Sequence, residues 1–347
     1  MHWAPQSAQK VLRSEATALI ASLGKESHWT QALHTLAELR VTGPKPDAVL
    51  LGAAVAACGR GKAWQHALEL LDETQRLSLP DLCLWRMCAQ SPPFDMASAV
   101  PLVTGGGSGI GLGLAEEFLK LGATKVLISS RREEVLKAAA EKHAGKIHYL
   151  VSDAGKEQDR AALLKWVESD HPDCNVLVNN AGIQRRVAPA TDEAPWSERA
   201  AEIEINFAGP VHLCALFTPH LLKQKQAMLA NVSSGLAFVP FTAGPVYGAT
   251  KAALHSYTLA LRYSLEQTSL RVVEIVPPAV KSNLGGSHDF GEECDVFCAA
   301  VMERVAAGEL EVGFGFSESG RLADRVTNQQ AMVGISKQMN VQTYAAA

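Results

Sequence analysis

The chain has 347 residues, 47% hydrophobic and 20% charged, so it can bury a large core and is long enough for two domains. A formal net charge of −4 and a pI of about 6.3 argue against a protein whose main task is to coat nucleic acid. The longest apolar run, Ala48 to Cys58, is broken by Gly52 and falls well short of the roughly 20 residues of a membrane span. Seven cysteines without a C-x2-C pair fit a reduced, cytoplasmic setting. The first acid is Glu15, after Lys10 and Arg13, which leaves an organelle leader open.

Residues 1 to 91 carry helical patterns and short turns, with a repeat. Gly24, Trp29, Ala32, Leu33 and Leu36 recur as Gly59, Trp64, Ala67, Leu68 and Leu71, each 35 residues later. Pro46-Asp47 recurs as Pro80-Asp81 with a slip of one residue. Each unit reads as two helices around a glycine turn, the second with one apolar face. Over residues 15 to 81 the segment resembles pentatricopeptide repeats, notably in Ala57-Cys58-Gly59-Arg60-Gly61 followed by Trp64-Gln65-His66-Ala67-Leu68. That family binds single-stranded RNA, one base per repeat. Residues 1 to 95, however, hold nine Lys and Arg against nine Asp and Glu, so no positive field awaits a phosphate backbone. A structural or interaction role is the expectation, with RNA contact as the alternative.

Gln90 to Asp95, with Pro92-Pro93 at its centre, reads as a linker. The expected organisation is a helical-repeat segment over 1–91, a linker at 92–97, a larger domain over 98–325 and an unassigned tail over 326–347. In the larger domain apolar runs alternate with amphipathic helical stretches. Strands are expected at Ala99–Val103, Lys125–Ser129, Ile147–Val151, Val176–Val178, Ala227–Val232 and Val272–Val276. That alternation predicts an α/β fold, a doubly wound parallel sheet of Rossmann type, preceded by the small all-α segment.

Directly after the first strand comes Thr104-Gly105-Gly106-Gly107-Ser108-Gly109-Ile110-Gly111, then a helix from about Leu112 to Leu121. Glycines between strand and helix let the backbone turn tightly against a pyrophosphate, with the positive end of the helix aimed at it. Gly105, Ser108, Gly109, Ile110 and Gly111 are therefore candidate cofactor contacts. The second strand ends Ser129-Ser130-Arg131-Arg132, with no acid before Glu133. An Asp or Glu there would hold the ribose hydroxyls of NAD, whereas two guanidinium groups suit an extra phosphate, so NADP(H) is favoured over NAD(H). The plainer reading leaves Arg131 and Arg132 solvated.

Tyr247 and Lys251 stand four apart at the start of an expected helix, on one face. Ser234 lies 13 residues upstream, at the end of a strand. Asn179-Asn180-Ala181-Gly182 follows another strand, and Asn206 sits in a helical Ile205-Asn206-Phe207-Ala208-Gly209 segment. Together these motifs, in this order, resemble the short-chain dehydrogenase/reductase family over residues 98 to 325, nearest to a bacterial DltE-like oxidoreductase subgroup. The run Asn231-Val232-Ser233-Ser234-Gly235-Leu236-Ala237-Phe238-Val239-Pro240 and Pro277-Pro278-Ala279-Val280 suggest that subgroup.

The resemblance implies hydride transfer between a nicotinamide cofactor and a carbonyl or alcohol substrate. It implies that Tyr247 is the general acid in reduction and the base in reverse. Lys251 would favour the phenolate and hold the nicotinamide ribose, Ser234 would orient the substrate oxygen, and Asn206 would hold a water of a proton relay. It also implies that Asp153 lies near the adenine, Asn180 beside the phosphate loop, and Val280 against the nicotinamide amide. Pro278 and Ser282 depart from the Gly and Thr frequent in the family. The helix after Tyr247 is where related enzymes form dimers. Its Leu254, Tyr257, Leu261 and Leu265 form an apolar stripe that suits either a homodimer or packing on the sheet.

Three readings stay open. The loop Ser282 to Cys294 is expected over the substrate but names no substrate. Arg185 and Arg186 either meet an anionic substrate or are solvated. Cys294 and Cys298 lack further ligands nearby, so no metal is expected. The alternative from another class is an RNA-binding or adaptor protein with a vestigial reductase-like domain.

Overall fold

The computed structural model describes residues 15–23, 28–42, 46, 48–60, 66, 70, 93–143, 145–286 and 290–341. The chain divides into two compact units, Met1–Gln90 and Ser91–Ala347.

In the first unit residues 15–23 are helical, followed by helices over Trp29–Thr42 and Ala48–Arg60. Ile20, Ala32, Leu36, Leu50, Leu51, Ala54 and Ala57 form its buried core. Of the face expected from Leu33, Leu36 and Ala37, Leu36 is buried and Leu33 partly buried, whereas Ala37 is exposed and Ala32 takes its place in the core. The Trp29 ring lies 5.4 Å from that of His66. The residues that would establish the repeat, Gly24, Trp64, Ala67, Leu68, Leu71 and Pro80-Asp81, lie outside the described residues.

In the second unit seven parallel strands form one sheet, β1 Pro101–Thr104, β2 Val126–Ser130, β3 Ile147–Val151, β4 Val176–Asn179, β5 Ala227–Val232, β6 Leu270–Val276 and β7 Glu311–Gly313, in the order β3-β2-β1-β4-β5-β6-β7. Helices α1 Gly109–Lys120, α2 Glu133–Lys142, α3 Glu157–Asp170, α4 Trp196–Ile203, α5 Gly209–Leu221, α6 Pro245–Ser264, α7 Cys294–Ala306, α8 Phe316–Leu322 and α9 Arg325–Gln338 complete it. Each strand sends alternate side chains to opposite faces. Val103, Ile128, Val178, Ala230 and Ile275 enter one core, beneath Phe118 of α1 and Phe297 of α7. Leu102, Leu127, Leu177 and Leu229 enter the other, beneath Leu163 of α3 and Phe217 of α5. Both faces are covered, which explains why the strands read as unbroken apolar runs.

The doubly wound parallel sheet predicted from the sequence is therefore present, and six of its strands fall within a residue or two of their expected limits. β7 was not predicted: three residues give no periodicity to read. Within the expected linker, Phe94 and Met96 are buried in the sheet core, the Phe94 amide donates to Ala306 O at 2.9 Å, and Arg271 stacks on the Phe94 ring. The described part of the tail begins with α9, started by Asp324, whose carboxylate accepts from the Val326 and Thr327 amides. In α6, Leu254 is buried, and Tyr257, Leu261 and Leu265 pack on the core beneath β5. The apolar stripe thus serves the protomer's own sheet. No helix among the described residues is long and apolar enough to cross a membrane.

Candidate active site

The strand order reverses between β1 and β4, and such a switch point opens a crevice beyond the carboxyl ends of the strands. A cleft of about 930 Å³ lies there, near the top of the ~300–1,000 Å³ range of small-molecule sites. All of the sequence-predicted site residues line it except Asn206, which sits immediately behind its wall.

One part of the cleft is the turn from β1 into α1. Gly105 and Gly109 have φ of +67° and +54°, a region that only glycine enters at low cost. A Cβ on Gly111 would stand 2.3 Å from Gly105 O and 2.5 Å from Asn180 Nδ2, so no side chain fits between helix and turn. Asn180 braces the turn from β4, donating from Nδ2 to Thr104 O at 2.9 Å, while the Asn180 and Ala181 amides donate to Thr104 Oγ1 at 3.0 and 3.1 Å. Arg131 and Arg132 follow β2 as exposed residues, and Arg132 Nη2 donates to Ser108 Oγ at 3.3 Å. Asp153 follows β3, with its amide held by Asp159 and its Oδ1 accepting from Gly155 N at 3.0 Å. The glycine cradle, the helix N-terminus and two guanidinium groups at its flank fit a phosphorylated dinucleotide.

The other part lies where β5 and α6 meet. Ser234 lies two residues past β5 and caps a short turn, its Oγ accepting from the Leu236 amide at 3.1 Å. The same hydroxyl faces the Tyr247 phenol and favours its ionised form. Pro245 at the first turn of α6 sets the helix start. Tyr247 and Lys251 therefore lie one turn apart, at 5% and 4% exposure. Lys251 Nζ donates to Val232 O at 2.8 Å and lies 5.7 Å from the centre of the Tyr247 ring. Burial pushes the phenol up to about 12, against the Ser234 hydroxyl and the positive charge of Arg186. Burial likewise pushes Lys251 down to about 8, with buried Glu274 on β6 acting in the opposite direction.

Asn206 occupies a π-helical turn, Glu204–Ala208, between α4 and α5. Such turns recur at functional sites because they re-aim one residue. Its Oδ1 accepts from Ile183 N at 2.9 Å, and its Nδ2 donates to Ile183 O at 2.8 Å and to Thr250 Oγ1 at 3.3 Å. A Cβ on Gly182 would meet Asn206 Oδ1 at 3.3 Å and Lys251 Nζ at 3.8 Å, so the two side chains flank one bare stretch of backbone. Val280 is buried in the loop after β6, bridged to Glu292.

Several wall residues had no sequence signal. Ile335 and Met339 come from α9, which Thr242 ties to Ser336 through a 2.7 Å hydroxyl contact. Phe241 and Phe316 also line the cleft. Of the loop expected over the substrate, Ser282 to Gly286 and Phe290 line the cleft, and residues 287–289 lie outside the described residues. Arg185 and Arg186 separate: Arg185 grips Asp192 with both terminal nitrogens at 2.9 and 2.8 Å, whereas Arg186 faces the cleft. Cys294 and Cys298 pack against Gly113 of α1. His255, Glu274 and Glu311 offer ligand atoms within 4.8 Å of one another, but His255 pairs with Glu274 at 2.8 Å and Glu311 with Arg321 at 3.3 Å.

Residues 99–291 match the short chain dehydrogenase family model. The chain is 47% identical over 189 residues to the uncharacterized oxidoreductase DltE of Bacillus subtilis (strain 168), covering 54% of this chain and 74% of that protein. It is 34% identical over 180 residues to the serine 3-dehydrogenase of Agrobacterium fabrum, covering 52% and 71%. A crystal structure of a short chain dehydrogenase from Burkholderia cenocepacia J2315 in complex with NADP superposes with a TM-score of 0.61 at 25% identity, covering 69% of this chain and 99% of that one. The chain belongs to the short-chain dehydrogenase/reductase family and is an oxidoreductase.

The depressed Lys251 value has a defined consequence for stability. The folded protein releases this proton near pH 8, the unfolded chain near 10.5. The unfolded state thus binds more protons in that window, and the Lys251 contribution grows as pH rises from 8 to 10.5 and is lost as pH falls through 8. Denaturant unfolding of wild type and Lys251→Met across this range should move in favour of wild type with rising pH. A difference independent of pH would mean that Lys251 is not buried as described.

Proposed function

We propose that this chain is an NADP(H)-dependent oxidoreductase that interconverts a carbonyl and an alcohol, with Tyr247 as the proton donor and acceptor. One observation carries the reading: Ser234, Tyr247 and Lys251 converge in the same cleft as the glycine turn and the Arg131-Arg132 pair. The name of the Agrobacterium relative, a dehydrogenase of serine at carbon 3, supports alcohol chemistry. The NADP in the Burkholderia structure supports the cofactor choice.

Gly105, Ser108, Gly109, Ile110 and Gly111 would hold the pyrophosphate, and Arg131 and Arg132 the extra phosphate. Asp153 and Asn180 would flank the adenosine, while Lys251 and Val280 would meet the nicotinamide end. When bound, the nicotinamide supplies the hydride. The protein's own contribution is a positioned proton. Ser234 holds the substrate oxygen against the Tyr247 hydroxyl. A phenol kept protonated well above neutral pH is set up to donate as negative charge builds on that oxygen. The Lys251 ammonium then stabilises the phenolate left behind. Asn206, on the far side of Gly182 from Lys251, would hold the water through which the proton is replaced. The assembly is expected to be a homodimer, for which Tyr263 of α6, 80% exposed, offers surface. Its setting is expected to be the reducing cytoplasm.

Fluorescence titration of the full-length chain should give tighter binding of NADPH than of NADH. Replacing Arg131 and Arg132 together by Ala should shrink that gap on the order of 10–100-fold. Equal affinities in wild type would remove the NADP assignment, and no binding of either would remove the enzyme reading. Tyr247→Phe should lower turnover on the order of 10²–10⁴-fold with NADPH affinity unchanged. Turnover retained in that variant would exclude Tyr247 as the proton donor.

A further inference from the structure

Buried and half-buried arginines in the second unit mostly face carboxylates. Arg160 pairs with Glu204 at 2.9 Å, Arg199 with Asp192 at 3.0 Å and Arg304 with Glu309 at 2.6 Å. Arg185 is saturated, holding Asp192 through its two terminal nitrogens and Glu198 through Nε at 3.1 Å.

Its neighbour Arg186 differs. The side chain is half-buried in the cleft wall and faces no carboxylate among the described residues. Its hydrogen bonds are two long ones, from Nε to Gln184 Oε1 at 3.3 Å and from Nη2 to Leu284 O at 3.4 Å. The guanidinium lies 5.1 Å from the centre of the Phe290 ring. The loop after β6 makes room for it at Gly285, where a Cβ would come within 3.0 Å of Nε, and whose φ of +71° also favours glycine. A guanidinium has five N–H donors in a fork that matches a carboxylate. Two are engaged here, both through weak contacts, and both to neutral groups.

We propose that Arg186 is the receptor for a carboxylate on the substrate, so that the substrates are short oxo acids and the matching hydroxy acids. This rests on the oxidoreductase reading of the same cleft. Arg186 and Tyr247 line the same cleft, so one molecule can present its acid group to the guanidinium and its reacting carbon to the phenol. A carboxylate on Arg186 and a carbonyl oxygen on Ser234 and Tyr247 fix a molecule at two points, which orients the reacting carbon. Phe241, Phe316, Ile335 and Met339 add apolar surface to the wall. In such surroundings a charge-assisted pair discriminates more strongly than in water.

The test uses the full chain with NADPH and a series of 2-, 3- and 4-oxo carboxylates, each beside its methyl ester. It adds calorimetric binding of the matching hydroxy acids to the NADP+-saturated protein. At least one acid should be reduced with a kcat/KM above that of its ester. Arg186→Gln should lower kcat/KM for that acid on the order of 10–100-fold while leaving the ester within about threefold, and Arg186→Lys should recover part of the loss. NADPH affinity should not change in either variant. Equal losses for acid and ester would make Arg186 a clamp on the loop and overturn the proposal, as would esters that outperform acids. Hydroxy acids that bind through Arg186, with no substrate turned over, would support the carboxylate site and remove the oxidoreductase reading instead. No hydroxy acid binding to wild type would overturn the carboxylate site.

Discussion

The active-site architecture depends on keeping one ammonium group charged inside a protein. Removing Lys251 from water costs several kcal/mol unless neighbours compensate. Three do: the Val232 carbonyl at the end of β5, the face of the Tyr247 ring and the carboxylate of Glu274. Each belongs to a different piece of the fold, so the charge stays in place only if β5, β6 and α6 keep their relative positions. A buried polar ladder helps to fix them. Asn179 of β4 stands opposite Asn231 of β5 and donates to it at 2.9 Å, and Asn231 donates to Thr258 of α6 at 2.8 Å. All three side chains are buried, so a slip in register would break the hydrogen bonds between them where water cannot replace them.

The same constraint explains how the cleft divides its work. Near β1 and β2 it is polar and open to solvent, with Arg131 and Arg132 exposed, as would suit a large anion held by backbone and arginine. Near β5 and α6 it is closed, with a phenol and an amine whose ionisation is set by burial. The depressed lysine and raised tyrosine are opposite responses to one environment, since both changes favour the neutral form. In the proposed mechanism, chemistry would take place where the protein has removed water, and recognition of the cofactor where it has not.

Much of this was legible in the sequence because local patterns encode it. Six apolar runs gave six strands. The glycines between Val103 and Leu112 could only serve a tight turn. Ser234, Tyr247 and Lys251 kept the spacing that a strand end and a helix turn require. What escaped depends on contacts remote in sequence. β7 has three residues and is recognised only by its pairing with β6. Phe94 and Met96 follow two prolines, which mark a linker, yet their apolar side chains belong to the core. Ile335 and Met339 gain meaning only from where α9 lands. The contrast between Arg185 and Arg186 is set by Asp192, which the sequence gives no reason to assign to one arginine over the other.

If this cleft moves a hydride and a proton to the same carbonyl group, single-turnover reduction of an oxo acid with NADPH deuterated at C4 of the nicotinamide should show it. Deuterium is expected on the carbinol carbon of the product, with a primary isotope effect on the transfer. Product without the label, or NADPH consumed with no carbinol formed, would contradict it.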